Sequence, residues 1–287
     1  MDVLSLYPLD FEEFLWANSE FGLAKEIRNS FSNMVPLDRQ LHEKALAQFR
    51  LYQVIGGIPR VILEYRKEKK LLTVPDIQQK ILELYYADIS SRAPSGLSRH
   101  CWNSWKSIPS QLGKGNSKFQ YRHISKGGTA RIYQEPINWL IDSGFAYCSF
   151  RCFNLSDEQD TNSFCLYYPD IGLAARELGI PSYILLTGEE TSASSGCAEN
   201  YLAQTFVQNG FSLSHWTSGN QSSVPFLMEK SGQYIAVDYR LTPHQKTRSL
   251  SRLHETCPPQ KMYLVSVENF KHKELYDIVP FYAAFCI

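Results

Sequence analysis

The sequence predicts a multidomain α+β chain: a helical segment, then a helix–helix–ribbon unit, then a mixed α/β unit. Three observations predict it. Apolar residues recur at helical spacing through the first third, the middle holds two helical stretches followed by two strand-like runs, and the last third alternates helix and strand patterns. At 287 residues the chain exceeds the usual size of one domain. The boundaries are set at 1–92, 93–169 and 170–287.

The opening, Val3 to Trp16, reads as a short strand broken at Pro8 and followed by a helix that Asp10 caps, with Glu12 and Glu13 in its first turn. Phe11, Phe14 and Leu15 share one face of that helix. Helical spacing continues from Asp38 to Tyr65 and from Val74 to Ser91, on either side of a charged turn, Lys67 to Lys70. Gly56-Gly57-Ile58-Pro59 interrupts the first stretch, because Pro59 pushes Ile58 out of the helical region. It reads as a helix–helix corner rather than a phosphate loop.

Leu97 to Leu112 and Glu135 to Asp142 read as the next helices. Phe145–Phe153 and Phe164–Tyr168 read as strands joined by the polar loop Asn154 to Asn162. Two helices and a two-stranded ribbon are the order of a winged helix, a fold that places its second helix in the major groove of DNA. Lys106 lies nearby, and Lys114, Lys118, Arg122, Lys126 and Arg131 are the candidate nucleic-acid contacts, each phosphate contact adding about one unit to the salt dependence of binding. A solvated face accounts for the same residues, and Asp142, Asp157, Glu158 and Asp160 dilute their field.

In the last third, Ala198 to Val207 reads as an amphipathic helix, Leu213 to Thr217 as a strand, Leu250 to Leu253 as a short helix and Lys261 to Ser266 as a buried strand. Between them Val224–Met228 and Tyr234–Tyr239 flank a Gly-containing turn, Glu229 to Gln233, and predict a β-hairpin. A metal-dependent nuclease core of this shape takes an Asp from the first strand and an acidic-x-Lys pair from the second, whose carboxylates hold Mg²⁺ while the Lys steadies the attacking water and the phosphorane charge. Here the first position is Pro225 and the second strand ends Asp238-Tyr239-Arg240. The frame is kept and a ligand and the titratable amine are lost.

Lys plus Arg and Asp plus Glu balance at 29 each, which excludes a field over the whole chain that would draw it onto nucleic acid or an anionic membrane. Seven Cys in mostly apolar surroundings fit reduced thiols and a cytoplasmic protein. Cys148 and Cys152 come nearest to a metal pair, but no second pair follows. There is no basic leader, and no apolar run reaches membrane-spanning length. Ser214 beside His215 lacks a Gly-x-Ser-x-Gly elbow and is not read as a nucleophile. His244, His254 and His272 lie in polar segments and read as surface residues.

Several motifs in order resemble the C-terminal, non-ATPase part of the prokaryotic AAA-type P-loop ATPases that carry a domain of unknown function with winged-helix and PD-(D/E)xK nuclease-like parts. They are Tyr7-Pro-Leu-Asp-Phe-Glu-Glu-Phe-Leu15, Tyr52-x-x-x-Gly-Gly-Ile-Pro59, Gln79 to Asp88, Ile108-Pro-x-Gln-Leu112, Phe164 to Leu173, Gly196 to Asn200, the hairpin, and Ile278 to Tyr282. The resemblance implies a site at Glu199, Pro225, Asp238 and Arg240. It also implies a first strand left over from an ATPase core, hence a truncated, split or stand-alone derivative. No GxxxxGK[ST] is present, since Gly113-Lys-Gly-Asn-Ser-Lys118 has the wrong order, so ATP hydrolysis is not expected.

The expected function is a non-catalytic DNA- or protein-binding module without a cofactor. Its partners would be DNA through the winged helix, and an ATPase subunit or a second copy through Val3, Leu4, Leu6 and Phe11 if these are exposed. The alternative is a Mg²⁺-dependent DNA endonuclease using Glu199 and Asp238, with Arg240 clamping phosphate.

Overall fold

The computed structural model describes residues 5–113, 118–155, 159–219, 222–242 and 248–287. Five helices come first: α1 (Phe11–Ala17), α2 (Phe21–Asn33), α3 (Arg39–Ile55), α4 (Pro59–Glu68) and α5 (Val74–Arg92). Asp10 caps α1 as expected, accepting from the Glu13 N–H at 2.8 Å while Glu13 accepts from the Asp10 N–H at 3.0 Å. Residues 5–10 form no strand; Leu9 donates its N–H to the Gly57 carbonyl at 2.8 Å and accepts from the Tyr52 hydroxyl at 2.7 Å. Phe11 is buried with Phe14 and Leu15 against Phe49 and Tyr52, so it belongs to the core and is not part of an exposed docking face.

The Gly56-Gly57 corner between α3 and α4 is a close approach of backbones. Gly56 has φ +79°, and a Cβ there would lie 2.4 Å from Asp170; a Cβ on Gly57 would lie 2.0 Å from the Leu9 carbonyl oxygen. The helix–helix corner expected from the sequence is therefore also the seat of the N-terminal segment.

Next come α6 (Ser98–Ser107) and α7 (Ala130–Asp142), then β1 (Tyr147–Cys152), β2 (Asp160–Tyr167), α8 (Ile171–Glu177), α9 (Ser182–Thr187) and α10 (Ser192–Gln208). They are followed by β3 (Ser212–Thr217), β4 (Ser223–Lys230), β5 (Gln233–Tyr239), α11 (Ser249–Thr256), β6 (Lys261–Ser266), β7 (Asp277–Pro280) and a 3₁₀ turn, Phe281–Cys286. The seven strands among the described residues form one mixed sheet in the order β2-β1-β3-β4-β5-β6-β7. β1 runs antiparallel to β2 and parallel to β3; β3, β4 and β5 are antiparallel neighbours; β5, β6 and β7 are parallel.

The two-stranded pair read from the sequence is present as β1 and β2, within a larger sheet. β1 is bonded on both edges, so β1 and β2 are the flank of the large sheet and not a two-stranded wing standing alone, and the sheet runs across the boundary placed between 169 and 170. The sequence offered no sign of it, because the β1–β3 pairing closes over some sixty intervening residues.

One face of the sheet carries α10, and beyond it α1 and α3. Phe49 packs on Tyr201 at 4.8 Å between ring centroids, and Gln204 donates to Tyr52 Oη at 3.0 Å. With a layer on each side, α10 is buried nearly all round rather than along one stripe, and its buried Asn200 exchanges two bonds with the Tyr168 backbone at 2.7 and 3.1 Å. The opposite face is covered near β4–β6 by α11, with Trp216, Val224, Leu227, Ala236, Leu250 and Leu253 in a second, smaller core. No helix among the described residues is long and apolar enough to cross a membrane.

Candidate functional site

From Ile89 to Gln134 the chain contains no Asp or Glu, and eight Lys or Arg. Since the totals balance, the remainder is net acidic, and the overall neutrality conceals a local basic region. The sequence reading named part of it, as single cations; the absence of acids over the whole stretch was the stronger signal. In the fold this stretch covers the end of α5, then α6, the segment 118–126 and the start of α7.

α7 packs on α6, and His100 meets Tyr133 at 5.4 Å between ring centroids, which sets the first turn of α7 beside the first turn of α6. The segment before α7 is held down by Tyr133 Oη donating to Ser125 Oγ at 2.9 Å and by Tyr121 Oη donating to Gln134 at 2.7 Å. Arg99, Lys118, Arg122, Lys126 and Arg131 are all exposed, and none forms an ion pair among the described residues. Lys114 lies outside the described residues. Of the rest of this stretch, Arg92 is paired with Asp88 at 3.0 Å, and Lys106 lies 5.9 Å from the centroid of the Trp102 ring. Exposed cations without an ion pair thus lie on α6, on the segment 118–126 and on the first turn of α7, and such cations are suited to a phosphate backbone.

The nuclease-like residues are arranged differently. Glu199, on α10, points at the sheet, where Tyr167 Oη donates to one carboxylate oxygen at 2.9 Å and Tyr239 Oη lies 3.2 Å from the other. Burial pushes its pKa up, against the pull of the two tyrosine hydroxyls and the Gly113 backbone N–H. Asp238 is the neighbour of Tyr239 on β5, so the pleat turns it to the opposite face; there it accepts from the Ser249 hydroxyl of α11 and, at 2.8 Å, from the Tyr239 N–H. Arg240 is paired with Glu268 just beyond β6.

Pro225 lies in a β-bulge. Ser214 pairs with Leu227 and Trp216 with Val224, so Pro225 and Phe226 together face His215, and the β4–β5 ladder ends at Phe226–Val237. A bulge is where a central strand tolerates a residue with no N–H. The structure therefore does not bring Glu199 and Asp238 to one point, and these residues do not fit Mg²⁺ as a shared ligand. No three His, Cys, Asp or Glu among the described residues are grouped to hold a metal ion. Ser214 and His215 point to opposite faces of β3; the partner of the His215 ring is instead Ser149, at 3.3 Å. His254 is exposed, His272 is exposed and bonded to Asp277 at 2.7 Å, and His244 lies outside the described residues.

Residues 46–183 match the model of a domain of unknown function, DUF8612. No curated protein and no solved structure matches the chain. The DUF8612 match names neither an ATPase nor a nuclease. It takes in the Gly56-Gly57 corner, α5 to α7, the β1–β2 pair and α8, and ends before Glu199, Pro225, Asp238 and Arg240. The matched span thus contains the whole acid-free basic stretch and crosses the 169/170 boundary.

Proposed function

We propose that this chain is a non-catalytic DNA-binding module whose contact surface is the basic face of α6, the segment 118–126 and the N-terminal turn of α7. The observation that carries the reading is the run of 46 residues without a carboxylate, five of whose cations, Arg99, Lys118, Arg122, Lys126 and Arg131, are exposed and form no ion pair among the described residues, while the rest of the chain is net acidic. Arg99, Lys118, Arg122, Lys126 and Arg131 would lie against phosphates. Five such contacts give a salt slope of about −4 on a log–log plot.

The finer architecture proposed with it is the one the sequence resembles: a winged-helix-like unit joined to a PD-(D/E)xK-like α/β unit, as in the non-ATPase part of AAA-type ATPases. Two features support it. Glu199 on a helix, the β4–β5 hairpin and Asp238-x-Arg240 follow in the order the resemblance implies, and α5, α6 and α7 precede a strand pair. The endonuclease alternative has no support from the site, because its two carboxylates face opposite sides of the sheet. For a protein partner at the N-terminal segment, the exposed apolar residues available include Leu6, Tyr7, Trp16 and Phe21; Val3 and Leu4 lie outside the described residues.

The test is fluorescence anisotropy of labelled DNA, duplex and single-stranded, over a salt series, with the quadruple variant R99Q/R122Q/K126Q/R131Q alongside. Salt-dependent binding that the variant loses supports the proposal. Absence of binding to both DNAs at low salt, or equal binding by the variant, rejects it.

A further inference from the structure

The basic surface carries aromatic rings as well as cations. Arg99, Trp102 and Lys106 are spaced i, i+3, i+7 along α6, which places them on one stripe, with the two cations exposed and the indole partly so. Tyr86, on α5, is 49% exposed and stands edge-on to Trp102 at 4.7 Å between ring centroids. Below them the stack continues inward: Trp102 lies on Trp105 at 5.5 Å, Trp105 on Tyr85 at 5.6 Å, and the Trp105 Nε1–H donates to the Phe145 carbonyl at 2.9 Å. The outer rings are thus backed by the buried Trp105 and the half-buried Tyr85. An exposed tyrosine and a partly exposed indole between cations are poorly matched to a duplex, which presents phosphates outward and keeps its base faces covered.

We infer that Tyr86 and Trp102, between Arg99 and Lys106, form a stacking platform for unpaired bases, so that the DNA taken by this surface is single-stranded. The inference rests on the DNA-binding reading above and specifies its ligand. The physical basis is general: base–aromatic stacking is tolerant of sequence because every base has a π face, and cations along the track hold the backbone. Arg99 and Arg131 would take phosphates on the α7 side. At the other end lies the Glu177 carboxylate, whose pKa burial raises while Lys106 and Arg176 pull it down. That acid marks the edge of the track.

The experiment compares one labelled oligonucleotide, single-stranded and annealed to its complement, by anisotropy at a single moderate salt concentration, for the wild-type protein and for Tyr86→Ala and Trp102→Leu. Unfolding midpoints of both variants are measured in parallel, and Tyr86→Ala, at an exposed position, serves as the variant that leaves the fold in place. Expected is single-strand binding at least about tenfold tighter than duplex binding, with each substitution weakening the single-strand complex about tenfold and leaving the duplex complex unchanged. Duplex binding as tight as single-strand binding overturns the inference while leaving the DNA-binding reading intact, and so does full single-strand affinity in Tyr86→Ala. No binding to either DNA overturns both.

Discussion

Replacing Asp170 with Asn tests whether the junction of the N-terminal helices with the sheet layer is built around a carboxyl that prefers its neutral form. Asp170 is 1% exposed and caps α8; one oxygen accepts from the Leu173 N–H at 3.0 Å, the other from the Gly57 N–H at 2.7 Å. Burial raises its pKa to about 6 from 3.8, against the pull of the backbone N–H groups of Gly57, Leu173 and Gly172. Between those two pH values the folded chain holds more protons than the unfolded one. The stability is therefore fully present below about pH 4 and is lost as pH rises through about 6. A shift of about two pH units corresponds to a loss on the order of 3 kcal/mol by neutral pH.

Asn removes that titration but offers one acceptor oxygen and turns an amide N–H toward Gly57, a cost of about 1–3 kcal/mol at every pH. Urea unfolding of wild type and D170N at a series of pH values from 4 to 7.5 isolates the residue, because Asp10, whose pKa is also raised to about 6 chiefly by burial, titrates in both proteins. The wild type should be the more stable at pH 4, and its advantage should shrink or reverse by pH 7. A difference that stays constant, or grows with pH, would refute the argument that burial outweighs the three hydrogen bonds.

Three further substitutions probe the same framework. Gly57→Ala puts a Cβ 2.0 Å from the Leu9 carbonyl oxygen, which is backbone and cannot rotate away, so a loss of about 3 kcal/mol is expected, read as a fall of roughly 5 °C in Tm for a chain of this size. Glu199→Gln keeps an acceptor for Tyr167 and should change stability by less than about 1 kcal/mol. Glu199→Leu leaves the Tyr167 hydroxyl short of a partner, while Tyr239 keeps Ser195 at 2.9 Å, and should cost about 1–3 kcal/mol, with DNA binding unchanged in both variants.

Local signals in the sequence carried the elements well and their assembly poorly. Helical periodicity, the Asp10 cap and the Gly56-Gly57-Ile58-Pro59 break are decided by neighbours in sequence, and the structure has a helix, a cap and a corner where these place them. α7 starts at Ala130, five residues before the helix read from the sequence, because the stripe it buries, Tyr133, Pro136, Ile137 and Leu140, opens on a tyrosine and holds a proline, neither of which marks a helix. The pairing of β1 with β3 depends on residues far apart in the chain, so the β1–β2 pair looked independent. The basic surface was legible as charge; its aromatic component was not, because helical spacing shows which residues share a stripe and says nothing of a ring supplied by the next helix, as Tyr86 is.

The same limit explains why a motif that keeps its order can still lack a site. Glu199, Pro225, Asp238 and Arg240 appear at the expected places in the chain, but which face each side chain takes depends on the pleat of β5 and on the bulge in β4. Restoring the letters of the motif with P225D/R240K should therefore produce no Mg²⁺-dependent cleavage. Glu199 would stay with Tyr167 and Tyr239 on the α10 face, and Asp238 with Ser249 on the α11 face. Ion pairing of residue 240 with Glu268 would further hold the new lysine away from the α10 face. The assay is incubation of plasmid DNA with the folded double variant and Mg²⁺, followed by gel electrophoresis. Cleavage that requires the metal and disappears on Asp238→Asn would show that the two carboxylates can meet after all, and that the strand end around Asp238 rearranges to let them.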